Sequence, residues 1–192
     1  LLASNAQVGS DWVMVRSTSY KMQDTNADGT IAYGEAAATA SSETYYDVHL
    51  GKGDEIAATS FNFTSTGDLK SMSVFEYGTA NIGLGEAGSS AASTDSSEAV
   101  MVRSLSYKMN SATDYKDIGD KTSETYYETR LGKGDEIAAV SFNFTASGIL
   151  KSKSVFEYGS IATGSVTAGT TTQALLASNA QVGSDWVMVR ST

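Results

Sequence analysis

Residues 42–78 read SETYYDVHLGKGDEIAATSFNFTSTGDLKSMSVFEYG, and their apolar and polar side chains alternate with a period of two. Thr44, Tyr46, Val48 and Leu50 fall on one side of an extended chain, with Glu43, Tyr45, Asp47 and His49 on the other. Farther on, Thr59, Phe61 and Phe63 oppose Ser60, Asn62 and Thr64, and the run from Leu69 ends in the aromatic pair Phe75 and Tyr77. Such alternation is the signature of strands with one face buried. The runs are rich in β-branched and aromatic residues and are separated by Gly51-Lys52-Gly53-Asp54 and Ser65-Thr66-Gly67-Asp68. Turn chemistry at this spacing predicts a meander of antiparallel hairpins. Upstream, Trp12, Met14, Tyr20 and Met22 share a face against Val13 and Val15; helix is expected only as a turn or two over Glu35-Ala36-Ala37-Ala38-Thr39-Ala40.

The same stretch returns at residues 123–159 as SETYYETRLGKGDEIAAVSFNFTASGILKSKSVFEYG, an offset of 81 residues (123 − 42). Ahead of it, VMVRSTSYKM at residues 13–22 recurs as VMVRSLSYKM at residues 100–109, an offset of 87 (100 − 13). Six extra residues (87 − 81) therefore lie in the first copy, between Met22 and Thr44. The first 18 residues, LLASNAQVGSDWVMVRST, return unchanged at residues 175–192, giving a period of 174 (175 − 1). A closed domain has no reason to copy its first strand onto its last, whereas a tandem array does.

The expected architecture is all-β: two tandem β-sandwich-like modules, an 87-residue repeat within a 174-residue super-repeat, with strand exchange between neighbours. The divisions are a connector at residues 1–11, module one at 12–78, a Ser/Gly-rich connector at 79–98, module two at 99–159, a connector at 160–185, and the start of the next module one at 186–192. The connectors read either as flexible linkers or as extended segments that add a strand to the adjacent module. Ile161, Val166, Leu175 and Leu176 favour the second reading.

Composition narrows the function. Hydrophobic residues make up 41% of the chain, enough to form cores, but modules of about 60 to 70 residues are near the size where one core is marginal. There is no cysteine and no proline, so disulfides and thiol metal sites are excluded. A net charge of −9 argues against nucleic acid and anionic membrane as partners. No apolar run approaches the length of a membrane span. His49 is the sole histidine and becomes Arg130 in the second copy, so no histidine triad exists; a solvent-facing strand position is expected for it. Asp54-Glu55 and Asp135-Glu136 sit at turns, where solvated charge is the default. Lys52-Gly53-Asp54 and its copy Lys133-Gly134-Asp135 resemble the tripeptide of some integrin ligands, but a Gly-rich turn explains them equally. Tyr45-Tyr46 and Tyr126-Tyr127 fit cross-strand packing better than sugar stacking.

The insertion carries the sharpest chemical signal. Asp24-Thr25-Asn26-Ala27-Asp28-Gly29-Thr30-Ile31-Ala32-Tyr33-Gly34-Glu35 follows D-x-[DN]-x-[DN]-G with a glutamate at the twelfth place. These twelve residues resemble the EF-hand-type calcium loop. The resemblance implies a calcium ion held by Asp24, Asn26, Asp28, the Thr30 carbonyl and both oxygens of Glu35, with Gly29 making the turn and Ile31 anchoring the loop. The entering segment reads as strand, so a structural ion is implied, as in dockerin-like loops; the alternative is an acidic turn without metal. The second copy has Asn110-Ser111-Ala112-Thr113-Asp114-Tyr115-Lys116-Asp117 there and lacks the pattern, so one calcium per period is expected.

Asn62-Phe63-Thr64 and Asn143-Phe144-Thr145 are N-glycosylation sequons, and their alternation displays Asn62 and Asn143 while Phe61, Phe63, Phe142 and Phe144 turn inward. Taken together, the sequence points to a non-enzymatic structural component of an extracellular fibril, stalk or adhesin shaft at the cell surface, built from calcium-stabilised repeats and displaying glycan. Neighbouring copies of the same repeat are its expected partners. The alternative is a carbohydrate-binding or adhesive module array.

Overall fold

The computed structural model describes residues 11–160, 175–176 and 186–191. The chain is all-β. Arg16–Met22 (β1), Ala36–Asp47 (β2), Ile56–Phe63 (β3) and Leu69–Gly78 (β4) form an antiparallel meander. The two-residue strand Ser89–Ser90 (β5) and a 3-10 turn at Ala91–Ser93 follow. The second copy then repeats the meander as Val100–Met109 (β6), Ile118–Glu128 (β7), Ile137–Phe144 (β8) and Leu150–Ser160 (β9). Leu175–Leu176 (β10) and Trp186–Ser191 (β11) both pair with β9. Among the described residues, no helix is long and apolar enough to cross a membrane.

The turns obey the chemistry read from the sequence. Gly51, Gly53 and Gly67, with their copies Gly132, Gly134 and Gly148, all adopt positive φ, which a side chain would disfavour. Residues 35–40 are not helical: Ala36 opens β2, with Met22 opposite Ala36 and Tyr20 opposite Ala40. A six-residue helix cannot offset its nucleation cost, whereas pairing with β1 satisfies the same backbone groups directly.

The sandwich expected of each module is replaced by one sheet that runs through both. Its order is β1-β2-β3-β4-β6-β7-β8-β9-β10, with β5 on β4 and β11 on β9. β4 pairs with β6 from Ser71↔Lys108 to Gly78↔Val100, so the last long strand of one copy and the first of the next are neighbours. Ladder hydrogen bonds of that length satisfy both edges at once, leaving no edge at which a separate sandwich would start.

Because pairing partners share a face, the register sorts the side chains into two surfaces. One carries a row that runs Ser17, Thr44, Ser60, Ser73, Ser106, Ser123, Asn143 and Ser152 from β1 to β9. Neighbours in it are hydrogen-bonded, Thr44 to Ser60 at 3.0 Å and Ser73 to Ser106 at 3.3 Å, as are Thr125 and Ser141 on the same face at 3.0 Å. At one end of this face Ile56, Tyr77, Ala91 and Ala99 form a small core beneath the connector. The opposite face holds Phe61, Leu69, Met72 and Met109, packed with Tyr45, Phe63, Val74 and Tyr107.

The seam between copies is also held by side chains. Arg103 donates from Nε to Oε2 of Glu76 at 2.8 Å and from a terminal nitrogen to Oε1 at 3.0 Å, with both side chains largely buried. Burial opposes the guanidinium charge, yet the hydrogen bonds to Glu76 and Tyr126 outweigh it and hold Arg103 above its ordinary range. Asn81 reaches from the connector to β7, donating to Glu128 at 3.0 Å while its carbonyl accepts from the Thr129 amide at 2.9 Å and hydroxyl at 2.7 Å. Of the two readings of the 79–98 connector, it is the docked one that is seen; residues 1–10 and most of 160–185 lie outside the described residues.

Removing one partner of the seam ion pair strands a buried charge. Glu76→Ala should cost about 3 kcal/mol in urea unfolding, and the double change Glu76→Leu with Arg103→Met should recover most of it.

Candidate functional site

The insertion forms the connection between β1 and β2. Its first half winds around Asp24, whose Oδ2 accepts from the Gly29 amide at 2.8 Å and whose Oδ1 accepts from the Asp28 amide at 3.3 Å. Asn26 Oδ1 accepts from the same Asp28 amide at 3.1 Å, and Asp28 Oδ1 accepts from the Thr30 amide at 2.8 Å and hydroxyl at 2.6 Å. The Thr30 hydroxyl, then its amide, holds the Asp28 carboxyl below the ordinary carboxylate range. Gly29 takes φ +84°, and Ala27 at φ +59° is the one non-glycine residue with positive φ among the described residues. Both belong to the tight coil that the sequence placed here.

Glu35 closes the loop. Its side chain is buried, and Oε2 accepts from the Ala32 amide at 2.7 Å while Oε1 accepts from the Thr25 hydroxyl at 3.5 Å. The Gln23 amide donates to the Glu35 carbonyl at 3.0 Å, tying the loop's entrance to its exit. Asp24, Asn26, Asp28, Thr30 and Glu35 thus share one small coil. Their acidic groups are not drawn into a tight cluster: among the described residues no three His, Cys, Asp or Glu side chains form a group that could hold a metal. Ile31 departs from the expectation of an inward anchor, since it and Tyr33 are exposed.

A carboxylate offers about four acceptor sites, and the bonds above occupy two on each of Asp24, Asp28 and Glu35, so acceptor capacity remains on all three. The donors are all oxygen, the class a hard divalent cation takes.

The sequon residues lie on the hydroxyl face. Asn62 is exposed and donates to Ser71 at 3.2 Å; Asn143 is half-buried and donates to Ser152 at 3.0 Å. Phe61 is buried, and Phe63, Phe142 and Phe144 are half-buried on the opposite face. Phe61 meets Tyr115 edge-on at 4.8 Å, and Lys121 lies 4.2 Å above the Phe144 ring. Tyr45 and Tyr126 make edge contacts to Phe61 and Phe142 at 6.0 and 6.2 Å.

His49 occupies a turn, because β2 ends at Asp47. One ring nitrogen meets the Asp47 carboxylate and the other the Thr94 carbonyl, so the side chain ties β2 to the connector. In the second copy Arg130 bonds Glu128 at 3.0 Å. Neither this clamp nor Asn81 is signalled by a sequence motif, since both act across more than 40 residues of chain. Compared with protein-family models, curated proteins and solved structures, the chain matches none.

Both ring nitrogens of His49 face acceptors, which only the imidazolium satisfies. The bond to Asp47, then that to Thr94, raises its pKa above the ordinary 6.5, with the charges of Asp47 and Asp95 adding to this. The His49 bonds lower the pKa of Asp47 below its ordinary 3.8. A raised histidine stabilises the fold below pH 6.5 and loses that contribution as pH rises through its folded value. A lowered aspartate contributes above pH 3.8 and loses it as pH falls. Amide exchange at residues 94–99 should therefore quicken as pH rises through the raised His49 pKa, after correction for intrinsic rates, and His49→Gln should abolish that pH dependence.

Proposed function

We propose that this chain is a non-catalytic structural unit of an extracellular array, a fibril or stalk in which one antiparallel sheet is extended by strand quartets and braced by calcium in alternate modules. The observation that carries this reading is the seam: the sheet passes from one copy to the next through β4 and β6 without interruption. The unchanged return of 18 residues after a period of 174 supports a continued series. Stability then comes from nearest neighbours, as in other repeat architectures.

Calcium would be held by Asp24, Asn26, Asp28, the Thr30 carbonyl and Glu35. Its role would be to stiffen the β1–β2 connection of module one, while the shorter Asn110-to-Asp117 connection of module two needs no ion. Net charge −9 agrees with a cation partner and a soluble surface. Asn62 and Asn143 are the candidate glycan sites, both on the hydroxyl face. That face gives the adhesive or carbohydrate-binding alternative its specific support.

Small-angle scattering separates an elongated sheet from a collapsed globule, and a collapsed globule would overturn the array reading. An ion that binds only the folded loop should stabilise module one by about 2.7 kcal/mol at a calcium concentration about a hundredfold above Kd. Chelation should accordingly lower the melting temperature of the sheet, and Glu35→Gln should remove that shift. A melting temperature unchanged across a calcium titration would reject the ion.

A further inference from the structure

The pentapeptide VMVRS occurs at residues 13–17, 100–104 and 187–191. The second and third occurrences are strand, and both sit on the sequence SVFEYG in one register. Met101 opposes Tyr77, Arg103 opposes Glu76 and Ser104 opposes Phe75. Met188 opposes Tyr158, Arg190 opposes Glu157 and Ser191 opposes Phe156, with the same irregularity between the methionine and the arginine. Among the described residues the first occurrence has no such neighbour, and β1 starts at Arg16. Identical residues thus form a full strand where an SVFEYG edge is supplied and fall short of one where it is not.

Burial follows the same division. Val102 is 0% exposed and its counterpart Val15 57%; Met109 is 5% exposed and Met22 42%. Arg103 is locked on Glu76 by bonds of 2.8 and 3.0 Å, whereas Arg16 reaches Glu43 at 3.4 Å and also meets Tyr45. An open groove of about 430 Å³ lined by Asp11, Trp12, Val13 and Val15 lies along this edge. The other end of the molecule shows the complementary deficit. Leu69 is 6% exposed because the β6–β7 connection lies over it, the Leu69 amide donating to the Ala112 carbonyl at 2.8 Å and Tyr115 packing on Phe61 and Phe63. Its counterpart Leu150 is 56% exposed, and Ile149 beside it 65%. Among the described residues β11 pairs with β9 over Phe156 to Ser160, whereas β6 follows β4 down to Ser71.

We propose that these two ends are halves of one junction and that a second copy of this chain completes it. β1 of one copy seats on β9 of the other in the register of β6 on β4, and the connection at residues 24–35 of the incoming copy lays Ile31 and Tyr33 over Phe144, Ile149 and Leu150. β11 already holds part of that edge. Because residues 1–18 and 175–192 are identical, an incoming β1 exchanges with it like for like, and its strand runs on to Met22. Transferring the observed register places Met14 opposite Tyr158, Arg16 opposite Glu157, Ser17 opposite Phe156 and Ser19 opposite Ser154. The exposed apolar groups on the calcium-loop candidate then have a task, which is to cap the preceding module.

The inference rests on the array reading but is tested apart from it. The chain has no cysteine, so full-length Ser19→Cys and Ser154→Cys variants can be mixed in a glutathione redox buffer from micromolar to millimolar protein. Their equivalents Ser106 and Ser73 have hydroxyl oxygens 3.3 Å apart, so a mixed disulfide fits this register. Ser17→Cys mixed with Ser154→Cys is displaced by two residues, roughly 7 Å, and should cross-link several-fold less. Preferential Ser19–Ser154 cross-linking supports the junction, whereas equal yields, or none across the concentration range, overturn it. Tyr33→Ser in the Ser19→Cys chain should lower the yield; an unchanged yield removes the loop from the junction. An elongated scattering profile without register-specific cross-linking would reject the junction alone and leave the array reading standing.

Discussion

The pairing of β4 with β6 is the contact on which the other features depend. A β-sheet made of small quartets carries an unsatisfied edge at each end, and unpaired backbone groups there would expose every quartet to mispairing. Here the edge of one copy is the template for the next, so the hydrogen bonds that end one meander begin another. The Arg103–Glu76 ion pair adds orientation to this backbone contact. Two charges taken from water together are stable only if they meet in good geometry, and their two short bonds meet that condition at one register alone.

A single sheet has two faces to protect, and the chain treats them differently. The hydroxyl face needs little cover, because serine, threonine and asparagine side chains bond across strands and keep free capacity for water. The aromatic face is covered by its neighbours. Tyr115 from the second copy closes over Phe61 and Phe63 of the first, and Lys121 and Lys153 lie against Phe144 and Phe142 of the second. Each copy borrows surface from the next, which is how modules with so little core of their own reach a folded state.

The loop at residues 24–35 is ordered from within. Asp24 and Asp28 order the coil by accepting amide bonds, and Glu35 folds back onto Ala32. These are local interactions between residues a few positions apart, so the sequence pattern alone was enough to place the coil, its glycine and its closing glutamate. The direction of Ile31 was not legible. Whether an apolar side chain points inward depends on what lies behind the loop, and here Ile31 is exposed.

Periodicity, turn glycines and the internal echo were enough to determine the all-β class, the hairpin meander, the positions of the turns, and the opposition of Asn62 and Asn143 to their flanking phenylalanines. All of these depend on contacts within a strand or across one turn. The six-residue Ala-rich stretch read as helix because propensity is local, but pairing with β1 decided its state. Likewise, nothing in VMVRS says whether it is strand or not; three identical copies differ by whether an SVFEYG edge lies beside them. One sheet in place of two sandwiches, the Arg103–Glu76 seam, and the clamps of Asn81 and His49 were decided only by tertiary structure. They join residues tens of positions apart, and which edge meets which is set by hydrogen bonds that every backbone can make and that only the folded neighbourhood assigns.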